Sequence, residues 1–191
     1  LTMDEIQIVE KILIDKYVVP SKTYFRGELT NKGVSDIYAS EVDCGENSAL
    51  TAVRVQEGNA HKYACMFNMD DMDNVGYVRD NIDDTKSGNY MEDMSNQRMD
   101  CGSKALQGYK FRPSIDGSKV SVRYKCAGGL VDENDCEDKT SQYQDVADIV
   151  AQVIDCGDES DKVLTSVRYK IKSDDSTKGR YEYTCCKPKG Y

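Results

Sequence analysis

The side chains able to do chemistry in this chain are eight cysteines, one histidine and 34 carboxylates. The cysteines are Cys44, Cys65, Cys101, Cys126, Cys136, Cys156, Cys185 and Cys186, and no two of them form a C-x-x-C pair. Structural zinc sites draw on short paired Cys and His spacings. This even-numbered set therefore points to four disulfides and an oxidising, extracellular compartment. His61 stands in a polar turn before Lys62-Tyr63 and is expected to be exposed. Asp71-Met-Asp73-Asn-Val75-Gly76 opens like a calcium loop. Positions five and twelve of that loop need oxygen ligands, and here they are Val75 and Ile82, so the segment reads as a solvated acidic loop. Asp132-Glu-Asn-Asp135 reads the same way, and Asp158-Glu-Ser-Asp161 reads as a turn. A carboxylate pair could hydrolyse a glycoside, but none of the 34 sits in a distinctive motif. Neither catalysis nor a cofactor or metal is expected.

What must position these residues is a repeated module. Val42-Asp-Cys44-Gly, Met99-Asp-Cys101-Gly and Ile154-Asp-Cys156-Gly open the three copies. Leu50-x-x-Val53-Arg-Val55, Leu106-x-x-Tyr109-Lys-Phe111 and Leu164-x-x-Val167-Arg-Tyr169 follow. Lys62-Tyr63-x-Cys65, Arg123-Tyr124-x-Cys126 and Glu182-Tyr183-x-Cys185 close them. The first cysteines are 57 and then 55 residues apart. Apolar and polar residues alternate with period two, as in half-buried strands. The stretches 56–59, 114–118 and 173–179 are polar and read as turns. Each hairpin brings its module's cysteines together, giving Cys44–Cys65 and Cys101–Cys126. Cys156 and Cys136 share the Cys185-Cys186 doublet in an order the spacing leaves open. An Asp recurring as Asp43, Asp100 and Asp155 is expected to serve the Cys-Gly turn, because a carboxylate there can accept backbone N–H bonds. The segments 68–98 and 132–153 read as shorter strands with long loops; 146–150 fits a short helix or a strand. The fold class is all-β with little helix.

Composition narrows the function. A net charge of −9 argues against nucleic-acid binding, which needs a basic face, and against a polybasic membrane surface. No apolar run reaches the length of a membrane span. The chain opens at Leu1 with neither a charged leader nor a cleavage motif, and so reads as a mature N-terminus. Thirteen Tyr stand against three Phe and no Trp. Tyr63, Tyr124, Tyr181 and Tyr183 suit half-buried strand faces with the ring packed and the hydroxyl wet; stacking on a sugar is their alternative use.

The three modules, with their apolar-Asp-Cys-Gly starts, apolar strands, closing cysteines and terminal doublet, resemble the vitelline membrane outer layer protein family, whose modules begin Cys-x-x-Gly. The resemblance covers roughly residues 44–186. It implies three antiparallel sheets about a pseudo-threefold axis, a β-prism, in a secreted coat protein; a disulfide-stapled β-sandwich is the alternative fold.

The modules divide the chain as 21–67, 68–128 and 129–186, and the remainder is an apolar N-terminal arm, 1–20. Its Met3, Ile6, Ile8, Val9, Ile12, Leu13 and Ile14 favour an extended strand, with an amphipathic helix as runner-up. Such a segment needs cover, from its own domain or from a neighbouring copy by strand addition. The sequence therefore points to a secreted structural protein, a self-assembling subunit of a fibril, coat or matrix. A lectin-like glycan-binding module is the alternative.

Overall fold

The structure is a computed structural model. It describes residues 22–26, 41–55, 61–67, 74–79, 84–85, 95, 97–113, 119–148, 152–157 and 161–189. Every element named among them is a strand: β1 (Lys22–Arg26), β2 (Glu41–Asp43), β3 (Ala49–Val55), β4 (His61–Met66), β5 (Asn74–Arg79), β6 (Asp84–Thr85), β7 (Arg98–Asp100), β8 (Lys104–Pro113), β9 (Lys119–Thr140), β10 (Gln144–Asp145), β11 (Val153–Asp155), β12 (Val163–Lys172) and β13 (Asp175–Pro188). The arm, and with it all seven of its apolar residues from Met3 to Ile14, lies outside the described residues.

Three hairpins organise the chain, β3–β4, β8–β9 and β12–β13, all antiparallel. Each carries an outer strand on its second arm: β1 on β4, β5 and β6 on β9, and the C-terminal half of β9 on β13. On its first arm each carries a three-residue lead strand, and that strand comes from a different module. β2, which leads into Cys44, pairs with β8; β7, which leads into Cys101, pairs with β12; β11, which leads into Cys156, pairs with β3. Each module therefore lends its first strand to the next sheet, and the loan closes in a ring. The partners are equivalent by repeat position: Val42 opposite Tyr109, Met99 opposite Val167, Ile154 opposite Val53. β3, β8 and β12 each pack against the other two, the arrangement of a three-sided prism.

The odd spacing Leu-x-x-apolar has a structural cause. Side chains on a strand alternate between faces, so residues three apart would face opposite ways in a regular ladder. Each hairpin has a register shift at the equivalent place, directly after Leu50, Leu106 and Leu164. The extra residue of this bulge lets Leu50 and Val53, Leu106 and Tyr109, and Leu164 and Val167 all turn inward, and all six are buried. The bulged residues Thr51, Gln107 and Thr165 use their carbonyls to accept N–H bonds from Cys156, Cys44 and Cys101. Burying each leucine contributes about 2 kcal/mol.

Four disulfides are present: Cys44–Cys65, Cys101–Cys126, Cys156–Cys185 and Cys136–Cys186. Because the lead strands are exchanged, the first three bridges join adjacent sheets. Their Cα separations are nearly equal, 5.7, 5.5 and 5.7 Å. Cys136–Cys186 instead links two directly opposed residues within one ladder.

Several expectations need correction. Residues 119–140 form a single long strand that leaves β8 at Leu130 and joins β13 at Val131, so Asp132–Asp135 belongs to a strand and not to a loop. The third hairpin turns over Ser173 and Asp174 alone; β13 already begins at Asp175, whose carboxylate accepts from the Thr177 N–H and hydroxyl. Near 146–150, β10 ends at Asp145 and a turn follows at Val146, which is buried.

Candidate functional site

The most regular chemistry in the molecule occurs three times. Asp43, Asp100 and Asp155 each accept the N–H of the glycine two residues on, at 2.9, 2.9 and 2.7 Å. Those glycines, Gly45, Gly102 and Gly157, have φ of 81, 59 and 102°, a region that residues with a Cβ rarely enter. The backbone carbonyl of the same Asp accepts a tyrosine hydroxyl from the closing strand: Tyr63 at 3.3 Å, Tyr124 at 3.2 Å, Tyr183 at 3.1 Å. Burial raises the pKa of Tyr63 and Tyr183 above the ordinary tyrosine value, so these hydroxyls stay protonated and donate at any physiological pH. Each corner thus holds a carboxylate, a tyrosine and a disulfide, all engaged in closing the turn. The expected role of the repeated Asp in its turn is what the geometry shows.

Around these corners the modules are not tied equally. Where module 1 meets module 2, Asp43 receives the Lys125 ammonium at 2.5 Å, and Glu41 pairs with Lys110 at 3.6 Å. Gln107 also donates from Nε2 to the Gly45 carbonyl. The residues that correspond to Lys125 by register are Ala64 and Thr184, which cannot form that ion pair.

A second cluster fills one end of the core, the level of the hairpin turns. His61 is 1% exposed, contrary to the expectation of an exposed turn residue. It opens β4 opposite Val55, at the register position held by Val122 and Tyr181 in the other hairpins, and alternation points it inward. Its Nδ1 lies 3.2 Å from the Tyr109 hydroxyl. Burial lowers its pKa from 6.5 to about 4 and pushes Tyr109 well above 10. Tyr169 packs edge-on against Tyr181, with centroids 5.1 Å apart; burial moves its pKa to about 12. Gln97 and Gln152 stand just ahead of β7 and β11 and are also buried. Gln97 accepts the Val122 N–H at 3.0 Å, whereas Ser141 accepts the Tyr181 N–H at 2.9 Å. Among the described residues, neither amide atom of Gln152 nor the Tyr169 hydroxyl has a hydrogen-bond partner. Buried polar groups of this kind are satisfied by ordered water or a ligand group.

The tyrosines considered for sugar stacking are differently used. Tyr63, Tyr124 and Tyr181 are buried, and Tyr183 is half-buried against the core. Among the described residues no cluster of His, Cys, Asp or Glu has the form of a metal site. No helix among them is long and apolar enough to cross a membrane. The sequence readings missed His61, Gln97 and Gln152 as core residues. A signal was available for the glutamines, which stand two residues before Met99 and Ile154 and so share their inward face.

Against known proteins, the chain matches no family model, no curated protein and no solved structure. Four disulfides fit an oxidising, extracellular-type environment.

Proposed function

We propose that this chain is a secreted structural protein, a self-assembling subunit of an extracellular fibril, coat or matrix. The observation that carries this reading is how the repeated polar residues are used. All three repeated carboxylates, three repeated tyrosine hydroxyls and three repeated disulfides close joints of the fold. The resemblance in module order to the vitelline membrane outer layer proteins, a family of secreted coat proteins, supports it. So does the apolar arm, whose Met3, Ile6, Ile8, Val9, Ile12, Leu13 and Ile14 offer a segment for strand addition to a neighbour. A contact of this kind passes head to tail, and where it does not close it produces filaments.

The test compares full-length protein with a variant lacking residues 1–15, by analytical ultracentrifugation and negative-stain microscopy. Polymers from the full-length chain and folded monomers from the shortened one support the reading. A full-length protein that stays monomeric at high concentration refutes it.

A further inference from the structure

Three of the four disulfides belong to the repeat, and the fourth does not. The positions just before Leu50, Leu106 and Leu164 form three opposed pairs, Ala49 with Met66, Ala105 with Ala127 and Val163 with Cys186, all buried in one cluster. On the outer side of each hairpin the register sets Lys22 opposite Met66, Asn74 opposite Ala127 and Cys136 opposite Cys186. Two of the three sheets therefore hold the outer strand here by the ladder alone. Cys136–Cys186 is added to a contact that its counterparts close without a covalent bond. Its two sulfurs are placed unequally. Cys186 is 2% exposed, shares its cluster with Met66, Ala127, Val131 and Val163, and has Thr165 Oγ1 at 3.7 Å from its Sγ. Cys136 is exposed. It follows a bulge, residues 133–135, that has no opposite number on β13. Residues 131–140 pair with β13 on one side, and among the described residues no strand pairs with them on the other. A thiolate attacks a disulfide sulfur from the side away from the sulfur that leaves, and for Cys136 that side is this free edge.

We propose that Cys136–Cys186 is an exchange site that takes up a small thiol as a mixed disulfide on Cys136, with preference for a thiol that carries a positive charge. The incoming thiolate sulfur bonds to Cys136 Sγ. The Cys136–Cys186 bond breaks, its electron pair leaves on Cys186 Sγ, and that sulfur takes a proton from solvent. One disulfide replaces another and one thiol replaces another, so no oxidant or reductant is consumed. The chain has no free cysteine, and the thiol comes from outside. The Thr165 hydroxyl, within 3.4 Å of the Thr184 carbonyl and 3.7 Å of Cys186 Sγ, can turn to the departing sulfur. Apolar surroundings then hold Cys186 as the thiol, a weak nucleophile for the return step. Charge selects the reagent. Asp132, Glu133, Asp135, Glu137 and Asp138 crowd the strand around Cys136, against Lys139 and Lys162 on Glu137 and Asp135. The resulting negative field draws in a cationic thiol and repels an anionic one.

The test treats the full-length chain with cysteamine, mercaptoethanol or mercaptoethanesulfonate at equal thiolate concentration, quenches with acid, and locates adducts by intact mass and peptide mapping. The proposal expects a single adduct on Cys136, Cys186 as a thiol, and Cys44–Cys65, Cys101–Cys126 and Cys156–Cys185 intact. Cysteamine should lead mercaptoethanesulfonate by on the order of tenfold at low ionic strength. The lead should shrink near about 1 M salt, where the screening length is about 3 Å. A variant with Cys136→Ser and Cys186→Ala, the second change installing the residue found at Ala127, should keep the native strand spectrum by circular dichroism. A first adduct on any other cysteine overturns the proposal. So does loss of the bridge without an adduct on Cys136, a rate order that does not follow charge, or a variant that fails to fold.

Discussion

His61 Nδ1 and the Tyr109 hydroxyl, 48 positions apart in sequence, meet at 3.2 Å inside the core and join the first hairpin to the second. The contact puts a titratable ring in the buried core. Burial holds the folded-state pKa at about 4, against 6.5 for a free imidazole. The folded protein therefore binds fewer protons than the unfolded one between those values, and stability drains away as pH falls from about 6.5 towards 4. The full loss is on the order of 3 kcal/mol. His61→Val, which installs the residue found at Val122, removes this slope. The check is the urea midpoint of both proteins from pH 7 to 4.5; parallel curves would refute the assignment.

Gly108 faces the lead strand so closely that a Cβ there would lie 2.3 Å from the Val42 carbonyl oxygen. Backbone cannot yield as a flexible side chain can, so Gly108→Ala displaces β2 from β8. The expected loss is about 1–3 kcal/mol. Ala52 and Ser166, at the equivalent positions, show that the requirement belongs to this joint alone. Ser166→Ala serves as the mild control, and equal losses for the two variants would contradict the argument.

The three corner tyrosines should behave alike. Tyr63→Phe, Tyr124→Phe and Tyr183→Phe each remove one hydroxyl donor to an Asp carbonyl, with an expected loss of about 1 kcal/mol apiece. Chemical denaturation reads this directly. One silent variant beside another costing several kcal/mol would show that the corners are not equivalent.

Reduction should begin at Cys136–Cys186. Cys136 is exposed, while both partners of Cys44–Cys65 and of Cys156–Cys185 are buried, and exchange needs access for the attacking thiolate. Partial reduction followed by alkylation and mass mapping should label Cys136 and Cys186 first. Early label at Cys65 or Cys185 would overturn this order.

Much of the fold was legible because it is local. Hairpin closure brings Cys65 back towards Cys44 and Cys126 back towards Cys101 whatever else surrounds them. The doublet needed tertiary structure: Cys185 and Cys186 are adjacent in sequence and lie on opposite faces of β13. Only the sheet shows that Cys185 turns to Cys156 and Cys186 to Cys136. His61 was misread for a related reason. Its neighbours in sequence are polar, but its environment is set by Tyr109 and the second hairpin.

Three repeated modules, strands with period-two alternation, and an Asp-Cys-Gly turn whose carboxylate can accept backbone N–H bonds can all be read along the chain. Each of these depends on residues close in the chain, where spacing and side-chain type suffice. That Val42, Met99 and Ile154 leave their own modules for the next sheet emerges from the assembled sheets. A three-residue strand carries the same alternation whichever edge it joins. Its partner is chosen by closure of the ring, in which every lead strand must find a free first arm and every buried carbonyl at Thr51, Gln107 and Thr165 a donor.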